Sequence, residues 1–214
     1  MTRIDTLFPA AALAVGIIAA GAAAAQSPSS WTGYYGGVSL SYHDGMFGND
    51  DNFPGDGDDG LEGYGAGFLF GYNYQNGSVV YGGELSYAAT DISGEDSCVN
   101  PAFDCGAEVD QLGSLRGRVG YLVNPQSLAY VTAGYAFADV YAYTDGPIGQ
   151  NGENKRMDGW VYGLGFEQVL TSRINLRGAL LRHDFAEADF DTDVPYDDID
   201  VDFTTLEVGM IFRF

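Results

Sequence analysis

The sequence predicts an all-β chain, an eight-stranded antiparallel up-and-down transmembrane β-barrel, and three observations carry that prediction. Eight segments alternate apolar with small or polar residues at a period of two, at 31–43, 62–74, 79–89, 111–123, 128–140, 159–170, 174–183 and 203–214. Each is close to the length of a tilted bilayer-spanning strand, about 9–11 residues. The connections between them alternate strictly between short and long, the pattern of turns on one rim and loops on the other. After residues 7–25 no stretch is apolar for long enough to cross a bilayer as a helix.

Composition agrees with this class. The 214 residues are 46% hydrophobic and include 31 Gly, 15 Tyr and 13 Phe, which excludes a collagen, a coiled coil, a disulfide miniprotein and a disordered tail. Nine basic residues against 30 acidic ones give a formal charge of −21. A phosphate backbone would be repelled, so no nucleic-acid partner is expected.

At the start of the chain, Arg3 precedes an apolar run over 7–20, and Ala23-Ala24-Ala25 forms a small-residue site before Gln26. These features read as a secretory signal peptide over residues 1–25, leaving a mature domain of 26–214. A retained membrane anchor is disfavoured, because the apolar core is short and Ala-rich and ends in a cleavage-type site. Export places Cys98 and Cys105 in an oxidising compartment, where two lone cysteines in one loop read as a disulfide.

The short connections lie at Asn76-Gly77, a hairpin signal, at Asn124-Pro125-Gln126-Ser127 and at Thr171-Ser172-Arg173. The long ones, 44–61, 90–110, 141–158 and 184–202, are rich in Gly, Asp and Asn and read as loops. The strand over 128–140 fits either phase imperfectly, which points to a bulge.

Alternation alone does not separate a membrane barrel from a soluble ligand-binding barrel, but the charged face does. It carries Glu84, Arg116, Arg118, Glu167, Arg177, Glu207 and Arg213, with mostly Gly, Ser and Ala between them. Seven charges are too few for a water-exposed exterior and suit a narrow interior in which ions must pair. The opposite face has Tyr34, Tyr42, Tyr64, Tyr74, Tyr81, Tyr87, Tyr121 and Trp160 near strand ends. Val38, Leu40, Phe68, Phe70, Leu85 and Val119 lie nearer the middle. This is an aromatic girdle around a hydrocarbon belt. In the last strand Leu206, Val208, Met210, Phe212 and Phe214 share one face. A terminal strand of this form resembles the signal by which the barrel assembly machinery recognises bacterial outer-membrane barrels.

Four segments carry a wider resemblance: Trp31-Thr32-Gly33-Tyr34-Tyr35-Gly36-Gly37; Leu112-Gly113-Ser114-Leu115-Arg116-Gly117-Arg118-Val119-Gly120-Tyr121; Gly159-Trp160-Val161-Tyr162-Gly163-Leu164-Gly165-Phe166-Glu167; and Phe212-Arg213-Phe214. The chain resembles the small eight-stranded outer-membrane proteins of the opacity-protein and OmpA-transmembrane-domain type, especially alphaproteobacterial surface proteins. The resemblance implies location in the cell outer membrane, contact with lipid and lipopolysaccharide, and a structural or surface-contact role rather than an enzymatic one. One departure is in the seventh strand, where Ala179, Leu180 and Arg182 stand in place of an inward Glu followed by aromatics. That leaves the partner of at least one interior Arg unassigned. No OmpA-type peptidoglycan-binding domain is expected after Phe214.

Three Glu and four Arg on the inward face are expected to form a paired ladder that plugs the lumen, making a scaffold for membrane integrity and surface interaction. The competing reading is a small porin-like diffusion channel in which the same charges form a constriction.

The long connections, with Glu62 at the edge of the first, hold 25 of the 30 acidic residues. Within them Asp189, Asp191, Asp193, Asp197 and Asp200 partly imitate a calcium loop, which makes Ca²⁺ or Mg²⁺ the cofactor to expect if there is one. Val194 stands where such a loop wants Gly, and Asp200 where it wants Glu; Asp56-Gly57-Asp58-Asp59 is a poorer match. His43 and His183, each followed by Asp, lie outside any nucleophile motif and read as rim histidines without a catalytic role. Gly63, Gly65 and Gly67 alternate within a strand and do not form a phosphate loop.

Overall fold

The computed structural model describes residues 30–49, 52–55, 59–147 and 149–214. The expected signal peptide, and Asp56 and Asp58 of the second acidic segment, lie outside the described residues. Among the described residues nine strands form: β1 (Gly33–Gly48), β2 (Asp59–Asn76), β3 (Val79–Ser97), β4 (Asp104–Asn124), β5 (Ser127–Gly146), β6 (Gly149–Val169), β7 (Ile174–Phe185), β8 (Ala188–Asp191) and β9 (Pro195–Arg213). Eight of them make an antiparallel ring in the order β1-β2-β3-β4-β5-β6-β7-β9, closed by β1 against β9. Closure leaves no free sheet edge within the belt, the condition for crossing a bilayer with strands.

The lipid-facing side is apolar over a defined height. On β1 the nine residues from Tyr34 to Tyr42 match a spanning strand, with Tyr34 58%, Val38 57% and Leu40 69% exposed. Round the ring Tyr64, Phe68, Phe70, Tyr74, Tyr81, Leu85, Val119, Tyr121 and Trp160 are exposed in the same way, while Tyr42 and Tyr87 are half-buried. The belt ends at a collar of charge. Asp44 pairs in register with Glu62, and Asp91 is beside Tyr64. Arg156 bonds Asp139 at 2.8 Å, and Arg182 pairs with Asp202.

Beyond the collar the strands continue, so most of the residues expected in loops are strand. The reason is an inversion of pattern. Inside the belt the inward positions are small or polar, but above it they are apolar: Phe47, Leu61, Ile92, Val109, Val140, Met157, Ile199, Val201 and Phe203 are all buried in one cluster. Most of them have Asp or Glu as outward neighbours, among them Asp91, Glu108, Asp139, Asp158, Asp200 and Asp202. The upper barrel is therefore built like a water-soluble one, apolar inside and acidic outside, and burial of its inward face holds the strands in register. Phe53, fully buried against Phe47 and Tyr196, caps this cluster.

Other boundaries shift for local reasons. The first strand begins at Gly33 rather than residue 31, because Trp31 folds inward beneath the barrel. Its backbone N–H donates to Gln75 Oε1 and its indole N–H to the Pro125 carbonyl. The bulge expected in the 128–140 strand is not there: β5 runs in unbroken register with β6. The irregularities fall next door, between Ala89 and Ile92 of β3 and at Val109/Gln111 and Leu122/Asn124 of β4.

The segment 184–202 holds β8, which pairs with β9. Above the Gly159↔Phe185 pair, among the described residues, β6 is laddered to β5 alone. There β8 is joined to β6 by side chains. Glu153 Oε2 accepts from the Asp191 N–H at 2.9 Å, Asn151 Nδ2 donates to the Thr192 carbonyl at 2.6 Å, and Lys155 donates to the Asp189 carbonyl. The Asp191 N–H and the Lys155 ammonium hold the Glu153 carboxyl below its ordinary range.

If the upper barrel is strand with its own core, amides at 44–48, 90–97 and 138–146 will exchange with deuterium as slowly as those of the belt. Exchange within seconds there, with the belt protected, would show mobile loops instead.

Candidate functional site

The inward phase of the belt strands brings Glu84, Arg116, Arg118, Glu167, Arg177 and Glu207 into one buried cluster, each less than a tenth exposed. Two pairs form across adjacent strands, because Glu84 is in register with Arg116 and Glu167 with Arg177. Two more form across the lumen. Glu84 accepts from Arg116 at 2.6 Å through Oε1 and from Arg177 at 2.7 Å through Oε2. Glu167 Oε2 is 3.1 Å from Arg118 and 3.5 Å from Arg177. Glu207 stands 4.0 Å from Arg177. Three guanidinium and three carboxylate groups therefore close into a neutral set, the condition under which charge tolerates burial.

Neutral groups complete the cluster. Tyr35 donates its hydroxyl to Glu84 at 2.8 Å, Asn175 donates to Glu167 at 2.6 Å, and Asn73 accepts from Arg118 Nε at 3.0 Å. The Arg118 guanidinium lies 4.7 Å from the Tyr35 ring centre and 5.2 Å from that of Tyr130. Room for the two rings comes from glycine: a Cβ on Gly71 or Gly165 would fall 2.3 Å from the Tyr35 or Tyr130 hydroxyl, respectively. Sequence reasoning missed Tyr35, Tyr130, Asn73 and Asn175, although all four stand in the inward phase with the charges.

Arg213 does not join the cluster. It lies at the turn end, where it donates to the carbonyls of Ser30, Thr171 and Ser172, the last at 3.1 Å, and its guanidinium lies over Trp31. The open strand ends leave those carbonyls to be satisfied, and Arg213 is the residue that reaches them. The departure in the seventh strand is resolved by sharing, since Arg177 takes Glu84 and Glu167 together. Arg182 faces outward, to Asp202.

Apolar clusters lie above and below these ions. Beneath them Trp31, Val80, Leu128, Tyr130 and Val169 pack together, and above them is the apolar cluster of the upper barrel. A cavity of about 270 Å³ opens at the turn end among Trp31, Asn73, Glu167, Arg173 and Arg213. A second, of about 30 Å³, lies between the ions and the upper cluster. His43 and His183 are not at the rim as expected but inside, 0% and 3% exposed, because both fall on the inward phase just below the apolar cluster.

The five aspartates of the calcium-like spacing do not converge. They lie on a β-hairpin rather than a loop, where Asp189 accepts from the Asp198 N–H and Asp193 from Thr144, at 3.1 and 2.9 Å. Among the described residues no three His, Cys, Asp or Glu side chains gather as a metal site. Cys98, just past the end of β3, and Cys105 of β4 are joined in a disulfide. Leu206, Val208, Met210, Phe212 and Phe214 are exposed on the belt.

An eight-stranded closed ring with an apolar belt, an aromatic girdle and a buried interior ion cluster defines an outer-membrane β-barrel. The chain belongs to the outer membrane protein beta-barrel domain family, whose profile it matches over residues 10–214. It is 35% identical over 166 residues to a 22 kDa outer membrane protein of Rhizobium leguminosarum bv. viciae, covering 77% of this chain and 69% of that one. It is 27% identical to a 31 kDa outer-membrane immunogenic protein of Brucella melitensis biotype 1, covering 100% and 98%. In fold it is similar to the outer membrane protein OprG from Pseudomonas aeruginosa, with a TM-score of 0.55 at 12% identity over 88% of this chain and 99% of that one. The protein resides in the outer membrane, with its belt against lipid.

Replacing Glu167 by Ala removes the carboxylate shared by Arg118, Arg177 and Asn175. The folded barrel is expected to lose about 3–5 kcal/mol, read as a lower urea midpoint for the refolded protein. An unchanged midpoint would mean that the ions contribute nothing to holding the barrel together.

Proposed function

We propose that this protein is a sealed structural barrel of the outer membrane. On this reading the three short turns face the periplasm and the acidic upper barrel projects outside as a rigid surface for contact with other molecules. The observation that carries it is the burial of the ions: the cluster lies between two apolar layers, and its six charged side chains are all buried. Eight strands enclose a bore that side chains of this size occupy. A charged constriction that passes ions would keep its charges wetted, whereas these are paired with one another.

The role is membrane integrity and surface interaction rather than catalysis. His43 and His183 support this, since both are enclosed away from either rim. The apolar face of β9, ending at Phe214, is the segment the assembly machinery would read, and the belt is the surface that lipid and lipopolysaccharide would contact.

Planar-bilayer recording on refolded residues 26–214 tests the reading. Folded, heat-modifiable protein is expected to give no stable conductance steps. Reproducible steps, altered in size by Glu84→Gln or Arg118→Gln, would establish the diffusion channel instead.

A further inference from the structure

We propose that His43, Thr205 and His183 form an acid-labile latch at the junction between the lipid-facing belt and the upper barrel. The three residues lie on neighbouring strands β1, β9 and β7, with Thr205 on the middle one. The Thr205 hydroxyl is 2.8 Å from His43 Nδ1 and 3.2 Å from His183 Nδ1, and Ser41 Oγ is 2.8 Å from His43 Nε2. The two Nδ1 atoms are therefore no farther apart than these two bonds laid end to end. One hydroxyl has one proton to give. With both rings neutral it donates to one Nδ1 and accepts from the other, so the two imidazoles hold opposite tautomers and bind three strands through one oxygen.

The surroundings make this arrangement intolerant of acid. Above, the Phe203 ring lies 5.3 Å from His43 and 4.9 Å from His183, and Phe185 stacks on His183 at 6.2 Å. Below is the cavity of about 30 Å³. Its charged lining is Arg116 from β4 and Glu207 from β9; β1, β2, β3 and β7 contribute only uncharged groups apart from the two imidazoles themselves. The nearby collar charges Asp44, Asp184, Arg182 and Asp202 are on outward strand positions.

One added proton can be accommodated beside Glu207, which lines the same cavity and whose Oε1, 4.0 Å from Arg177, makes no hydrogen bond among the described residues. Two cannot, because two imidazolium rings would face each other across one hydroxyl, beside Arg116 and under a phenyl ring. The unfolded chain has no such restriction and takes up both protons below about pH 6.5, the ordinary histidine range. The unfolded state then binds more protons than the folded one, so stability falls as pH falls through that range. The loss is local, since the latch holds β7, β9 and β1 together beneath the apolar cluster that closes the upper barrel.

The test compares full-chain protein refolded in detergent with the His43→Gln, His183→Gln double variant, by thermal midpoint at pH 7.5 and pH 5.0. Native protein is expected to lose roughly 4 °C or more between the two, and the double variant less than half of that. An equal loss in both, or none in the native protein, overturns the proposal. Nitrogen-15 imidazole shifts of the native protein give an answer even if the double variant does not fold. Opposite tautomers at pH 7.5 are expected, with no more than one imidazolium in the folded protein at pH 5.5. Two imidazolium rings in a folded barrel at pH 5.5 would refute the latch.

Discussion

Three guanidinium groups and three carboxylates closing on one another across a narrow lumen are the constraint to which the rest of the barrel conforms. An ion in the middle of a membrane protein is tolerated only when its partner is already in place. Here the six come from five strands, Glu84 from β3, Arg116 and Arg118 from β4, Glu167 from β6, Arg177 from β7 and Glu207 from β9, and no pair lies within one strand. Every one of those strands must hold its register for the set to be neutral. A slip of one residue would turn a charge toward lipid and leave its partner buried alone. The glycines at 71 and 165 follow from the same requirement, because the tyrosines that shield Arg118 need the space a Cβ would take.

Above the ions the chain solves a different problem with the same strands. Outside the hydrocarbon there is water on the outer face, so the apolar residues change sides and the lumen becomes a conventional core. The result is one continuous sheet with two solvents. The junction is marked outside by the Asp and Arg collar and inside by the two histidines. At that height the closure of the ring also changes character, since β8 meets β6 through Glu153, Lys155 and Asn151 rather than through a backbone ladder. An acidic upper barrel of paired strands follows, in place of four long loops.

Much of this was legible in the sequence where the pattern is simple. In the last strand Leu206 to Phe214 and the residues between them show both faces without ambiguity, and the inward phase of Glu84 and Arg116 is equally plain. Alternation fixes a face but not a partner across the lumen, so Arg177 bridging Glu84 and Glu167 was beyond reach, as was the diversion of Arg213 to backbone carbonyls. The upper barrel was hidden by its own composition. Phe47, Leu61, Ile92 and Val201 alternate with Asp, Gly and Glu, and a strand whose outward face is acidic reads as a loop when lipid is expected outside. The calcium-like spacing takes another form for a related reason: Asp189, Asp191 and Asp193 stand at every second position of a hairpin, a geometry that does not curl round an ion.

The claim that the interior ions form one coupled set is tested most directly by a double-mutant cycle on Glu84 and Arg177, which face each other across the lumen. Glu84→Gln and Arg177→Met alone are each expected to lower the unfolding free energy strongly. The double variant, with no unpaired charge between the two sites, should lose at least about 1 kcal/mol less than the sum of the single losses. Strict additivity would show that the two residues do not act on each other and would contradict the account.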